Sequence, residues 1–353
     1  MTSILPLRRL GTSDARISAL GLGCWQFSQG RGLGGGFWSN VPDSEVEGIV
    51  RASLEGGINW FDTAEAYGGG QSERALSSAL QKAGVRPGEA VIATKWMPLG
   101  RTALSIGKTI GKRLDSLRGF PIDLYQIHQP IALARIQSQM AAMAALVQGR
   151  KIRFIGVSNF SAKRMVRADE ALRGHGLRVV SNQVHYSLLN RKIETNGILD
   201  VAKERGISII AYSPLEQGIL TGRFHERPEL IQSVSRTRRM MGRLKPTKMA
   251  ESRPVIDALR EIGARHGATP AQAALNWLIH AHGETVVAIP GATKESQARD
   301  NVGAMTFKLT PDEIDHLDRV SAPSNKKGVA STLRHFSGRF PGKLSPGRKS
   351  GEM

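Results

Sequence analysis

Eight short apolar runs, each followed by a stretch of helical periodicity, predict an α/β fold, and the polar side chains gathered at the ends of consecutive runs predict how that fold is closed. Eight strand-then-helix units imply a parallel sheet, and that number closes into a (β/α)8 TIM barrel. A doubly wound open sheet fits less well, because the first run is not followed by Gly-x-Gly-x-x-Gly opening a helix.

An N-terminal β-hairpin is expected around residues 5–17. Apolar residues 20–23 then precede a helix at 43–55, residues 58–61 precede 71–82, and residues 91–95 precede 102–117. The pattern continues with 123–128 and 132–148, then 152–157 and 162–172, and the last three strands are read at 179–184, 207–212 and 285–289. Ser44, three residues ahead of Glu47, and Thr269-Pro270, ahead of 271–280, mark helix starts. A last helix over 310–320 lies outside the barrel. The predicted organisation is a barrel over 1–322 and a disordered basic tail over 323–353.

Composition sets limits on function. The chain has 353 residues, 40% hydrophobic and 22% charged, as in soluble globular proteins. No apolar run nears the roughly 20 residues of a membrane span, and the start MTSILPLRRL lacks an apolar leader core. The single cysteine, Cys24, rules out an internal disulfide and fits a cytoplasmic location. Histidine spacing offers no metal site. The formal charge of +19 is concentrated: residues 223–253 hold nine Lys/Arg against three Glu, and residues 325–353 hold seven against one. The first segment reads as a long mobile loop after the seventh strand and the second as tail. A solvated basic surface is the expectation in preference to a nucleic-acid partner. The sequence leaves the oligomeric state open.

The chemistry is carried at the strand ends. The second run stops at Asp62 with Tyr67 five residues on, the third ends Ala93-Thr94-Lys95-Trp96, and the fourth ends Tyr125-Gln126-Ile127-His128. In a barrel these ends open onto one face, so Asp62, Tyr67, Lys95 and His128 should share one cleft. A tyrosine titrates near 10 and becomes a useful acid at neutral pH when an ammonium stabilises its phenolate. Lys95 would supply that charge, Asp62 would keep the lysine protonated, and His128 would orient a carbonyl oxygen and share in proton relay. Such a set suits proton delivery to a carbonyl oxygen while hydride reaches its carbon.

The residues Gly57-Ile58-Asn59-Trp60-Phe61-Asp62-Thr63-Ala64 with Tyr67-Gly68, together with Lys95 and His128, resemble the aldo-keto reductase superfamily, in particular its bacterial general-reductase and potassium-channel β-subunit-like branches. The resemblance covers roughly residues 5–320. It implies that Ser158, Asn159 and Gln183 hold a nicotinamide carboxamide, that Tyr212 stacks on the ring at a strand end whose Ser213, Pro214 and Leu215 also contact the cofactor, and that the following loop, with Gln217, Gly218 and Arg223, surrounds a pyrophosphate. Ile289, Gly291, Ala292, Thr293, Lys294, Gln297, Asp300 and Asn301 resemble the adenosine-phosphate site, and Gly23, Cys24 and Trp25 flank the cofactor. Independently of the family, consecutive N–H groups at 291–293 opening a helix, with Lys294 beside them, form an anion site, which favours NADP(H) over NAD(H). Gln297 stands where classical animal reductases carry arginine, leaving Lys294 and Arg223 for the phosphate. Cys24 stands where many relatives have a hydroxyl residue and reads as a small buried hydrophobe. Trp25, Trp38, Trp96 and Met97 are expected to line an apolar pocket for a small carbonyl substrate. Two rival readings remain: a Schiff-base lyase using Lys95, and a non-catalytic nucleotide sensor.

Overall fold

The computed structural model describes residues 7–31, 37, 38, 40–240 and 244–322, and residues up to Ser321 fall in one compact unit. The expected tail over 323–353 lies outside the described residues.

Two two-residue strands, β1 (Arg8–Arg9) and β2 (Arg16–Ile17), form the antiparallel hairpin. Eight parallel strands follow: β3 (Leu22–Gly23), β4 (Trp60–Asp62), β5 (Val91–Trp96), β6 (Leu124–Ile127), β7 (Phe154–Ser158), β8 (Val179–His185), β9 (Ser208–Tyr212) and β10 (Val286–Ala288). Each pairs with the next in chain order. Bridges from Leu20 to Ala288 and from Gly23 to Gly291 join the first strand to the last and close the barrel.

Period-two alternation decides what the strands present inward. Trp60, Ala93, Leu124, Ile210 and Val287 fall in one apolar cluster with Leu10, Ala15 and Ile17 of the hairpin. The hairpin therefore plugs the N-terminal end of the barrel. It is held there by the Gly11 N–H on Ser208 Oγ (2.7 Å) and by the Arg8 guanidinium on the carbonyls of Val286 and Ile279. Gly11 has φ +55°, and a Cβ there would lie 2.1 Å from the Val180 carbonyl oxygen, so only glycine fits this approach. Two residues further along β4, β5 and β6, the same inward parity delivers Asp62, Lys95 and Gln126. The outward residues Phe61, Ile92, Tyr125 and Ile127 join the larger core between sheet and helices.

That outer layer consists of α1 (Asp43–Glu55), α2 (Gln71–Lys82), α3 (Leu104–Ser116), α4 (Ile136–Gln148), α5 (Ala162–Arg173), α6 (Ile198–Arg205), three short helices α7 (Arg223–Glu226), α8 (Leu230–Ser233) and α9 (Arg236–Met240), then α10 (Pro246–Arg265), α11 (Pro270–His280), α12 (Glu295–Gly303) and α13 (Pro311–Ser321). Thr269 caps α11 in a reciprocal capping box with Gln272, behind a proline in the first turn. Ser44 does not cap α1. The N-cap position is Pro42, and Ser44 lies inside the first turn. Helix α4 starts four residues later than expected because residues 132–135 belong to a loop whose Leu133 N–H binds the Arg101 carbonyl. The described part of 223–253 is not one long loop but three short helices followed by the start of the long helix α10, and the short helices gather over the apolar side chains of Ile219, Phe224, Val234 and Leu244. Four anchors at irregular spacing leave no periodic signature. No helix is long and apolar enough to cross a membrane among the described residues.

Candidate active site

Above the apolar plug the inward positions turn polar. Lys95 is fully buried, and its Nζ donates to Asp62 Oδ1 at 2.5 Å, to the Thr63 carbonyl at 2.8 Å and to the Tyr67 hydroxyl at 3.4 Å. Three donors thus meet three acceptors, which is all an ammonium can offer. Asp62 Oδ2 in turn accepts from Gln126 Nε2 (3.0 Å) and Gln183 Nε2 (2.8 Å). The His128 ring stands edge-on to Tyr67, with centroids 5.7 Å apart. The structure brings Asp62, Tyr67, Lys95 and His128 together.

Electrostatics refine the roles. Burial lowers the Lys95 pKa, but Asp62 and then Tyr67 outweigh it, so the ammonium stays above its ordinary value and charged. For Tyr67, burial is the larger effect and raises the phenol, while Lys95 opposes it only in part. This corrects the expectation of a phenol made acidic by its neighbour: Tyr67 holds its proton at neutral pH. His128 is lowered to about 3 by burial and then by Lys95, so it is a neutral imidazole there. The Lys95 Nζ is fully buried and bonded to three acceptors, which argues against the imine chemistry of the lyase reading.

Tyr67 and His128 open into a cavity of about 980 Å³ at the C-terminal ends of the strands. One wall is aromatic. Trp25 stacks on Phe37 (4.7 Å between centroids) and on Tyr67 (6.1 Å), and Trp38 meets Trp25 edge-on. Met97 also lines the cavity. Also on the lining, Ser158 Oγ donates to the Gln183 carbonyl, Asn159 Nδ2 lies 3.3 Å from the His128 carbonyl, and the Tyr212 hydroxyl donates to Asn159 Oδ1. Tyr212 is stacked on His185 at 5.4 Å. Asn159, Ser213, Glu216 and Gln217 all have φ between +48° and +60°, a left-handed cluster of the kind that persists where a binding surface is shaped. Pro214, Leu215, Gly218 and Arg223 continue this side. The far end is formed by Gly23, Cys24, Ile289, Gly291, Ala292, Thr293, Lys294, Gln297, Asp300 and Asn301.

Residues 19–322 match the Aldo/keto reductase family. The chain belongs to the aldo-keto reductase family. Uncharacterized oxidoreductases of Mycobacterium tuberculosis and Mycobacterium bovis are each 35% identical over 304 residues, covering 86% of this chain and 88% of the relative. Among solved structures, a thermostable aldo-keto reductase in complex with the inhibitor epalrestat is similar at a TM-score of 0.70 and 28% identity, over 89% of this chain and 99% of that one. An aldo/keto reductase from Klebsiella pneumoniae in complex with NADP and acetate gives 0.68 and 25%, over 92% and 98%.

Two expectations need correcting for this aldo-keto reductase, the place of Trp96 and the number of free N–H groups at 291–293. Trp96 does not line the cavity. It alternates with inward Lys95, so it faces the helices, fully buried, with Nε1 on Ser105 Oγ at 3.1 Å. Gln183 lines the cavity with its amide nitrogen donating to Asp62. The three N–H groups at 291–293 are not all available, because Thr293 donates to Gln297 Oε1 at 2.8 Å. Cys24 is fully buried, as its reading as a small buried hydrophobe expects, with its thiol directed at the Leu22 carbonyl and burial raising its pKa well above the usual range.

Three further groups went unnoticed in the sequence. Gln126 could have been found from parity with His128. Glu65 accepts from the Met97 N–H, Arg101 and Arg113, tying the loop that carries Tyr67 to the loop after Lys95. Arg238, from α9, donates to the Gln217 carbonyl at 2.7 Å and lies 4.5 Å over the Trp38 ring, bridging two walls of the cavity. Arg238 and Arg223 both line the cavity, and their buried Nε atoms have no hydrogen-bond partner among the described residues.

Proposed function

We propose that this aldo-keto reductase is an NADP(H)-dependent oxidoreductase that reduces aldehydes or activated ketones to alcohols. The observation that carries the reading is the Lys95 ammonium, held by Asp62 and touching the hydroxyl of Tyr67, which faces a cavity large enough for a dinucleotide. When bound, reduced nicotinamide supplies hydride from C4 to the carbonyl carbon. Tyr67 donates its proton to the carbonyl oxygen as negative charge develops there, and Lys95 then stabilises the phenolate left behind. Neutral His128 orients the carbonyl oxygen by a hydrogen bond, and the wall of Trp25, Trp38 and Met97 excludes water.

The residues fit such a cofactor: two guanidiniums with unpartnered nitrogens at the pyrophosphate loop, and Lys294 at the start of α12. Relatives from Klebsiella pneumoniae crystallised with NADP or NADPH support the same choice here. Tyr67→Phe should lower kcat by roughly a hundred- to ten-thousand-fold and leave the NADPH Kd nearly unchanged. Equal loss of both would remove Tyr67 from the acid role. Lys294→Ala should weaken NADPH by roughly three- to fivefold and NADH much less. Equal effects would sink the phosphate assignment.

A further inference from the structure

The first turn of α1 reaches the cavity at its far end through a carboxylate. Glu45 is half-buried, lines the cavity beside Lys294 and Gln297, and its Oε1 accepts the backbone N–H of Glu295 at 2.5 Å. That N–H is one of the first of α12, and no side chain of the Lys294 N-cap satisfies it. A carboxylate from a helix 250 residues away therefore caps α12, where the partial positive charge of the helix is concentrated.

The position of Glu45 is fixed by packing between the two helices. Gly48 lies so close that a Cβ there would be 2.5 Å from Glu295 Oε2, and a Cβ at Gly56 would meet Val302 at the same distance. Arg51 pairs with Glu295 and Arg299 with Glu55 across the same seam.

We propose that Glu45 is a specificity-determining residue: by occupying the N-terminus of α12 it competes with the 2′-phosphate of NADP(H) and leaves NAD(H) a workable second cofactor. The inference rests on the reading above, which puts the adenosine end of the dinucleotide at α12. A 2′-phosphate carries close to two negative charges, and it meets a carboxylate already on the N–H it would use. A 2′-hydroxyl is neutral and can donate to the same carboxylate. Lys294 offsets this repulsion with one charge, Arg51 and Arg299 are engaged by Glu295, and Gln297 offers an amide whose oxygen is engaged by Thr293, so Glu45 weakens the preference for NADP(H) without abolishing it.

Dissociation constants for NADPH and NADH would be measured on the full chain by quenching of tryptophan fluorescence, for the wild type, Glu45→Gln and Glu45→Ala. Glutamine keeps an acceptor for the Glu295 N–H and so preserves the seam. Glu45→Gln should tighten NADPH by roughly five- to tenfold, the size of a largely water-screened charge–charge contact of about 1 kcal/mol, and change NADH by about twofold or less. Glu45→Ala should shift the ratio the same way. An unchanged ratio of the two constants in Glu45→Gln overturns the inference while leaving the reductase reading intact. Failure of the wild type to bind either dinucleotide overturns both.

Discussion

Asp62 has more to hold than the sequence implied. Its two oxygens serve an ammonium and two side-chain amides, from β5, β6 and β8, so one carboxylate fixes residues of three strands. Asp62→Asn would keep the shape and remove the charge that outweighs burial at Lys95. Breaking a buried pair from one side destabilises by about 3–5 kcal/mol. The expected outcome is a clear fall in Tm together with a drop in kcat larger than any change in NADPH affinity. A variant as stable and active as the wild type would show that Lys95 does not depend on Asp62. Neutral His128 likewise follows from its surroundings, since burial beside an ammonium leaves it no route to a charge near pH 7.

Behind the candidate site, helices α2 and α3 meet the barrel through a second set of buried ionisable groups. Arg113 of α3 pairs with Glu65 and with Glu73 of α2, and Glu73 also accepts from Thr94 of β5. Burial raises Glu73 to about 7, more than Arg113 and Thr94 lower it. A carboxyl raised in the folded state keeps its proton where the unfolded chain has lost it. Its stabilising contribution is therefore complete below about pH 4.5 and disappears as pH rises through about 7, a change of order 3 kcal/mol. Urea unfolding at pH 5 and pH 8 should show the wild type losing stability relative to Glu73→Gln over that interval. Parallel pH dependences would place the Glu73 titration elsewhere. Elements of this kind were only half visible in the sequence. Strands buried on both faces read as apolar runs, and α11 announced itself through Thr269-Pro270, whereas α7, α8 and α9 are held by four scattered apolar anchors that no periodicity marks.

Across the whole molecule, the parts legible beforehand are those set by chain-local order. Strand ends in a barrel share one face, so Asp62, Tyr67, Lys95 and His128 could be gathered from their positions alone. Parity along a strand is equally local, and applying it at Trp96 and Gln126 would have sent the first outward and the second inward. What parity cannot supply is contact between distant segments: Glu45 on α12, Arg238 over Trp38, or Glu65 between two loops. Nor does spacing reveal whether burial or a neighbouring charge prevails at Tyr67, because that depends on how completely water is removed.

The hairpin at the closed end of the barrel carries one more implication. With Leu10, Ala15 and Ile17 sealing the floor and Lys95 fully enclosed, the Lys95 ammonium has no back door to bulk solvent. On the reaction proposed, Tyr67 must be re-protonated through the same mouth by which the alcohol departs, so each new cycle waits for that exit to clear.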